Sequence, residues 1–190
     1  NLLGQHLEAE PLLRRAYDLS QESLGPALLI LSLSNLLFGL ICQGKPQELL
    51  TESEAALELG NYAIADNLRN HLALAYLRLG NNDAAIRQYR VLAENAFDPN
   101  YRCIAWARLA GLTEEAHIAV LQARGLLQSA HTPTAKFTAI QAAILHGSLE
   151  QRTWGMQQLE DFDPTLLPWL FQLEHDQLLE QLQVQPRHKV

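Results

Sequence analysis

The chain has 190 residues, 48% of them hydrophobic, and a formal net charge of −7. The apolar content argues against a disordered chain, and the acidic balance, with no cluster of lysines and arginines, argues against binding to nucleic acid. A chain of this length can bury roughly 70% of the surface that its unfolded form exposes, which suits one or two packed domains.

The first predicted helix covers residues 4–25, where Ala9, Leu13 and Ala16 recur at helical spacing on one face. Its run AEPLLRRA followed by ESLGP resembles the long second helix of kinesin-light-chain repeats. Because such a helix follows a first helix, we expect that the sequence begins in mid-repeat and belongs to a longer protein. The apolar face of this helix would then need an upstream helix or a second copy of the chain as its cover.

The next two helices are predicted over residues 27–43 and 46–59, with Gly-Lys-Pro as the turn. The apolar run over residues 24–41 has the length of a membrane span. However, Pro26 stands near its start, polar residues interrupt it, and it has no aromatic belt or basic flank. We therefore predict a buried helix rather than a membrane segment, and no signal peptide is visible.

The clearest hairpin covers residues 66–99. One apolar stripe runs up to Gly80, a second follows the turn at Asn81 and Asn82, and Pro99 closes the unit. The stripes consist of Leu68, Leu72, Ala75, Tyr76 and Leu79, and then of Ala85, Ile86, Tyr89, Leu92 and Ala93. A unit of about 34 residues with this order of small, aromatic and glycine positions resembles the tetratricopeptide (TPR) repeat.

Two further hairpins are predicted. The first pairs residues 100–110 with 113–128, and Thr113 is expected to cap its second helix. The second pairs residues 135–146 with 149–160. Glycine or proline stands near the ends of these segments and stops the helices.

The last segment differs from the repeats. We predict a short helix after Asp163-Pro164 and then a separate amphipathic segment. The tail HDQLLEQLQVQPR resembles the terminal segment of TPR domains in bacterial transcriptional regulators, and its matching residues are Asp176, Leu179, Leu182, Pro186 and Arg187. We therefore assign residues 1–162 to a TPR-like repeat array and residues 163–190 to C-terminal capping helices.

A repeated register supports the assignment. Glycines recur at intervals of 31–40 residues, and Ala9, Ala85 and Ala116 each stand five residues after one of them. At this position two hairpin helices approach closely, so a small side chain is required. We therefore predict an all-α, right-handed superhelix of stacked antiparallel helical hairpins, a TPR-like α-solenoid of about ten or eleven helices without β-sheet.

The seven histidines and two cysteines form no catalytic or metal-binding pattern, because none of them stands at a ligand spacing. No phosphate-binding glycine loop or nucleophile elbow is present either. We expect surface or capping roles for the histidines and reduced, buried thiols at Cys42 and Cys103. The sequence therefore predicts no enzyme activity, no catalytic residue, no metal and no cofactor.

The TPR resemblance implies a concave groove lined by the first helix of each hairpin. Its inward positions would be Asn35, Phe38, Asn67, Asn70, Leu74, Arg78, Tyr101, Arg102 and Arg108. This set contains arginines but no carboxylate, which indicates an extended partner with acidic groups, held by forked hydrogen bonds. The alternative is that these arginines pair with carboxylates of neighbouring helices and bind no partner.

Two functions remain open. The chain is either a non-catalytic scaffold that binds a peptide or partner protein in this groove, or a sensory and regulatory TPR domain of a bacterial transcriptional regulator or kinase that responds to a small ligand or partner. A winged-helix or kinase domain upstream would decide for the second. We expect a cytoplasmic protein whose segment contacts neither nucleic acid nor membrane, with a homodimer as one candidate assembly.

Overall fold

The computed structural model describes residues 2–23, 25–59 and 63–184, which form ten α-helices, two short 3-10 helices and no strand. The α-helices are α1 (Leu2–Ser23), α2 (Pro26–Cys42), α3 (Leu50–Leu57), α4 (Ala65–Arg78), α5 (Asn82–Asn95), α6 (Pro99–Ala110), α7 (Ala116–Leu126), α8 (Pro133–His146), α9 (Leu149–Glu160) and α10 (Trp169–Val184). The 3-10 helices are Pro46–Leu49 and Pro164–Leu166. The all-α class is confirmed for this part of the chain.

Local residue chemistry explains several helix ends. Gly44 and Gly80 have φ values of 76° and 74°, a left-handed conformation that glycine adopts without a steric cost. The Asn81 Oδ1 accepts a hydrogen bond from the backbone N–H of Ala84 and caps α5, as predicted. Three of the α-helices begin at a proline, whose missing N–H has no partner in a first turn anyway: Pro26, Pro99 and Pro133.

Several predicted boundaries are wrong. Helix α1 begins at Leu2, before the predicted start at residue 4, and the predicted helix over residues 46–59 consists of a 3-10 helix followed by α3. Thr113 does not cap α7, which begins at Ala116, because its hydroxyl donates back to the Leu109 carbonyl at 3.0 Å. The predicted short helix after Asp163 is a 3-10 turn, and the residues that follow it form the single helix α10.

From Pro26 onward, the apolar run that resembled a membrane span forms α2; Gly25 precedes the helix as its N-cap, and Leu24 lies outside the described residues. Its Ile30, Leu33 and Leu37 are almost fully buried within the protein. Among the helices described, none combines the length and the apolar character that crossing a membrane requires. The run is therefore a core helix, as the sequence indicated.

Helices α2, α4, α6 and α8 form a row in which each helix contacts the next, and we call this set the first-helix row. Helices α5, α7 and α9 each pack against the preceding member of the row, and α5 and α7 also pack against the following one. Helix α1 packs on α2, and α3 lies against both α2 and α4. Every residue of the predicted binding site lies on the first-helix row.

From α4 to α8, helix starts recur at a constant interval. The row members α4, α6 and α8 begin at Ala65, Pro99 and Pro133, so the two steps between them are equal. Their partners α5 and α7 begin at Asn82 and Ala116, which repeats the same step. This step matches the length of a TPR unit, about 34 residues. The spacing between these helix starts is therefore more regular than the spacing of 31–40 residues between the glycines.

One hydrogen-bond arrangement recurs at the same interval. The side chains of Asp66 and Asn100 stand second in α4 and α6, and each accepts hydrogen bonds from two consecutive backbone N–H groups. The donors are Phe97 at 2.7 Å and Asp98 at 3.3 Å for Asp66, and His131 at 2.8 Å and Thr132 at 2.9 Å for Asn100. Each bond pair joins the start of one row helix to the segment that leads into the next row helix.

Small side chains lie where helices pack closely, but not at all of the predicted positions. Ala85 is fully buried, in agreement with its predicted role. Ala116 is only half-buried, because α7 begins there, and Ala119 is the buried alanine that stands one repeat step after Ala85. At the contact of α8 with α9 the small residue is Gly155, where an added Cβ would lie 2.9 Å from Ile144 Cγ1.

Candidate functional site

The predicted site residues lie on three adjacent helices of the first-helix row and differ in exposure. Asn35 and Arg78 are exposed, the half-buried ones are Phe38, Asn67, Tyr101, Arg102 and Arg108, and the buried ones are Asn70 and Leu74. The buried pair presents little surface to a partner. Contact with another molecule therefore depends on the other members of the set.

Helix α10 lies against this surface and contributes a carboxylate to it. The Arg108 Nη2 donates a hydrogen bond to one oxygen of Glu174 at 2.7 Å. The Arg78 Nη2 lies 3.5 Å from the other oxygen. The Arg108 guanidinium also lies over the Phe171 ring, 5.7 Å from its centroid. A single carboxylate on α10 thus joins the arginines of α4 and α6.

Apolar side chains accompany this carboxylate on one face of α10. Phe171 and Leu178 are buried on either side of Glu174, at the spacing of a helical stripe. His175 is also buried, and its ring lies 5.8 Å from the ring of Phe137 on α8. The face of α10 that meets the first-helix row is therefore amphipathic, with its charge near the centre.

The arginines of the predicted set have different environments. Arg78 and Arg108 pair with a carboxylate of the same chain, which was the alternative left open by the sequence. Arg102 is half-buried, and its Nε has no hydrogen-bond partner among the described residues. A sequence signal for the pairing existed, because Glu174 stands within the apolar stripe of α10, where an unpaired carboxylate would be costly.

A histidine links the first two members of the row. The Nδ1 of His71 on α4 lies 3.0 Å from both the carbonyl oxygen and the hydroxyl of Ser34 on α2. Its ring stacks on Phe38 with 4.8 Å between ring centroids. Burial lowers the pKa of His71 to about 4, although the Ser34 carbonyl acts in the opposite direction. The prediction of surface or capping roles is therefore wrong for His71 and for the buried His175.

The two cysteines are buried thiols. Burial raises the pKa of the Cys42 thiol to about 11 and that of Cys103 to about 12. A nucleophilic cysteine requires a lowered pKa, so both thiols act as buried small side chains, as predicted. Within the described ranges, no three or more His, Cys, Asp or Glu side chains are grouped so that they could hold a metal ion.

Several cavities adjoin the row helices, and two of them lie beside α6. One of about 190 Å³ lies between α4, α6 and α8 and is lined in part by Arg108, Gly111 and His146. An added Cβ at Gly111 would lie 2.9 Å from the His146 Nε2, so the glycine leaves room for that ring. The other, of about 530 Å³, lies between α5, α6 and the segment leading to α7, where Trp106 and Glu115 contribute to its walls.

Comparisons with protein-family models, with curated proteins and with solved structures find no match for this chain. The TPR resemblance therefore depends on the residues quoted above. In the tail, Asp176, Leu179 and Leu182 lie on α10, whereas Pro186 and Arg187 lie outside the described residues.

Proposed function

We propose that this chain is a non-catalytic interaction module built as a right-handed superhelix of TPR-like hairpins. The equal steps between the starts of α4, α6 and α8 support this architecture. The matching hydrogen bonds of Asp66 and Asn100 support it as well. In such an array the row helices share one surface, and that surface is where a partner binds.

The observation that carries the proposal is the binding of the Glu174 carboxylate by Arg108 and Arg78. Here the first-helix row binds a helix, α10, whose acidic group lies between apolar side chains. Hydrogen bonds between charged groups in a partly buried site are stronger than those in water. The partner that fits this chemistry is therefore an acidic, amphipathic segment of a protein, in helical rather than extended form.

Charge reversal on the row tests this proposal. Arg78→Glu combined with Arg102→Glu reverses two charges on α4 and α6 and leaves Arg108 in place. We expect the affinity for a partner protein captured from cell lysate by cross-linking to fall about a hundredfold or more, since each of the two lost charged hydrogen bonds costs about 1.5–3 kcal/mol. The thermal melt should change little.

The matched control reverses two exposed arginines on α5, with Arg87→Glu and Arg90→Glu. The control should capture the same partner as the unchanged chain. If capture survives the reversal on the row but is lost in the control, the binding surface lies on the second helices and the proposal is wrong.

A second candidate is the regulatory domain that senses a small ligand. The observation that favours it is the cavity of about 530 Å³ beside Trp106, a volume typical of small-molecule sites. Screening metabolites for a shift in melting temperature, followed by the same screen with Trp106→Ala, tests this candidate. Ligands that stabilise only the chain with Trp106 would support it, and an absence of stabilising ligands would remove it.

A further inference from the structure

We infer that α10 is an internal ligand that a partner helix displaces from the first-helix row. The partner helix carries an aromatic residue, an acidic residue one turn later and a leucine one turn after that, as α10 does with Phe171, Glu174 and Leu178. This inference rests on the proposed function and adds to it the regulation of the same surface. The unbound chain is closed by its own C-terminal helix.

The way in which α10 is attached distinguishes it from the other helices. The row helices pack along their lengths against two or more neighbours, whereas the backbone of α10 approaches mainly α8 and the 3-10 turn before it. Its attachment consists of one stripe of buried side chains and the two ion pairs of Glu174. Its other side is exposed and carries Asp176, Gln177 and Glu180. A helix held on one face can leave while the packing of the row is preserved.

The two ion pairs differ in their access to solvent. The side chain of Arg78 is 42% exposed, whereas that of Arg108 is 16% exposed. An incoming carboxylate therefore reaches Arg78 while Arg108 still holds Glu174. Exchange of one acidic helix for another can then proceed without leaving the more buried arginine unpaired, which would be costly.

The segment before α10 is suited to such a release. Phe162 packs against Phe137 of α8, with 5.8 Å between ring centroids, and anchors the end of the preceding hairpin. In the segment between Phe162 and α10, side-chain hydrogen bonds are local: Thr165 donates to Asp163, and the Gln172 side chain at the start of α10 donates back to the Leu167 carbonyl. Release of α10 therefore breaks few bonds to the rest of the chain.

A competition experiment on the full chain tests the inference. The probe is a fluorescein-labelled peptide of residues 167–184, and its binding is followed by fluorescence anisotropy. Glu174→Arg in the chain places like charges beside Arg78 and Arg108 and should free the row, so that the peptide binds about tenfold more tightly than to the unchanged chain. Glu180→Arg, the same change on the exposed side of α10, should bind the peptide as the unchanged chain does.

The outcomes separate the inference from the proposed function. Equally tight binding of the peptide to the unchanged chain and to Glu174→Arg would overturn the inference and leave the proposed function intact. Absence of binding to either chain, with the α10 amides of Glu174→Arg exchanging freely, would overturn both. A dimer of the unchanged chain, seen by light scattering and dissociated by the α10 peptide, would assign the surface to a second copy and overturn the inference.

A second measurement serves if Glu174→Arg does not fold. Hydrogen exchange of the unchanged chain should show α10 opening about tenfold or more often than α4 and α6, because local openings report the free energy of each unit. Saturating peptide should raise the exchange of the α10 amides of the chain further. Protection of α10 equal to that of α6, unchanged by the peptide, would contradict the inference.

Discussion

His71 is an imidazole held between two helices of the first-helix row, and its environment favours the neutral ring. Its Nδ1 carries the proton, because one of its contacts is the Ser34 carbonyl oxygen, which can only accept. Burial disfavours a positive charge on the imidazole. The contact of α2 with α4 is therefore sensitive to acid.

The folded-state pKa of about 4 lies below the ordinary value of 6.5. As the pH falls from about 6.5 towards about 4, His71 binds a proton in the unfolded chain but not in the folded chain, so the free energy of unfolding falls. When the pH is lowered from 7.5 to 5, we expect the free energy of unfolding to fall by about 1–2 kcal/mol more for the unchanged chain than for His71→Gln. Urea titrations of both chains at the two pH values provide the measurement. Identical pH dependence in both would show that His71 is not the group responsible.

At the scale of elements, the hairpins are joined by polar side chains as well as by apolar packing. Asp66 and Asn100 each satisfy two backbone N–H groups at the entry to the next row helix. Such groups are costly to leave without a partner when they are buried. These bonds connect consecutive hairpins, so their loss affects the junction rather than one helix.

Asn100→Ala removes both acceptor bonds at the α6–α8 junction. We expect a loss of about 0.5–1.5 kcal/mol in the free energy of unfolding, since two hydrogen bonds are lost but the N–H groups of the exposed His131 and Thr132 can bond to water instead. Asn95→Ala is the control, because Asn95 is exposed at the end of α5. Urea denaturation of the three chains measures the difference. Equal stability of both variants would mean that the junction does not depend on this side chain.

The close contact of α6 with α7 gives a second prediction at this scale. Ala119→Leu should overpack the contact and cost about 1–3 kcal/mol, whereas Ala116→Leu at the half-buried start of α7 should cost much less. A thermal melt of each variant makes the comparison. A larger loss of thermal stability for Ala116→Leu than for Ala119→Leu would show that the close contact lies at Ala116, five residues after Gly111, as the glycine spacing predicted.

The hairpins themselves were predictable because their signals are local. Apolar stripes, Gly80 and the Asn81 cap determine where the central helices begin and end, and the structure agrees with them. The position of Ala116 was misjudged because glycine spacing was used as the register, although helix starts are the more regular feature. The prediction that Thr113 caps α7 is wrong because its hydroxyl donates to the Leu109 carbonyl instead, and no pattern in the sequence indicates that bond.

At the scale of the whole molecule, the placement of α10 is the feature that local signals do not determine. Glu174 is 66 residues from Arg108 and 96 residues from Arg78 along the chain. The sequence identified these arginines, but it divided α10 into two segments and did not identify Phe171 and Glu174 as part of its buried face. Only the packed chain brings the three charged groups together, and it places the chain's own acidic helix on the surface that we propose for a partner.

A charge exchange between α6 and α10 tests this placement most directly. Arg108→Glu and Glu174→Arg each put like charges side by side, and the combined variant restores an opposite pair. The measurement is hydrogen exchange of the α10 amides in the unchanged chain and the three variants. We expect each single change to lower their protection about tenfold and the combined variant to recover most of it, because contacting residues show coupling rather than additivity. If the combined variant instead lowers the protection of the α10 amides by the product of the two single-variant factors, the placement of α10 on the first-helix row is contradicted.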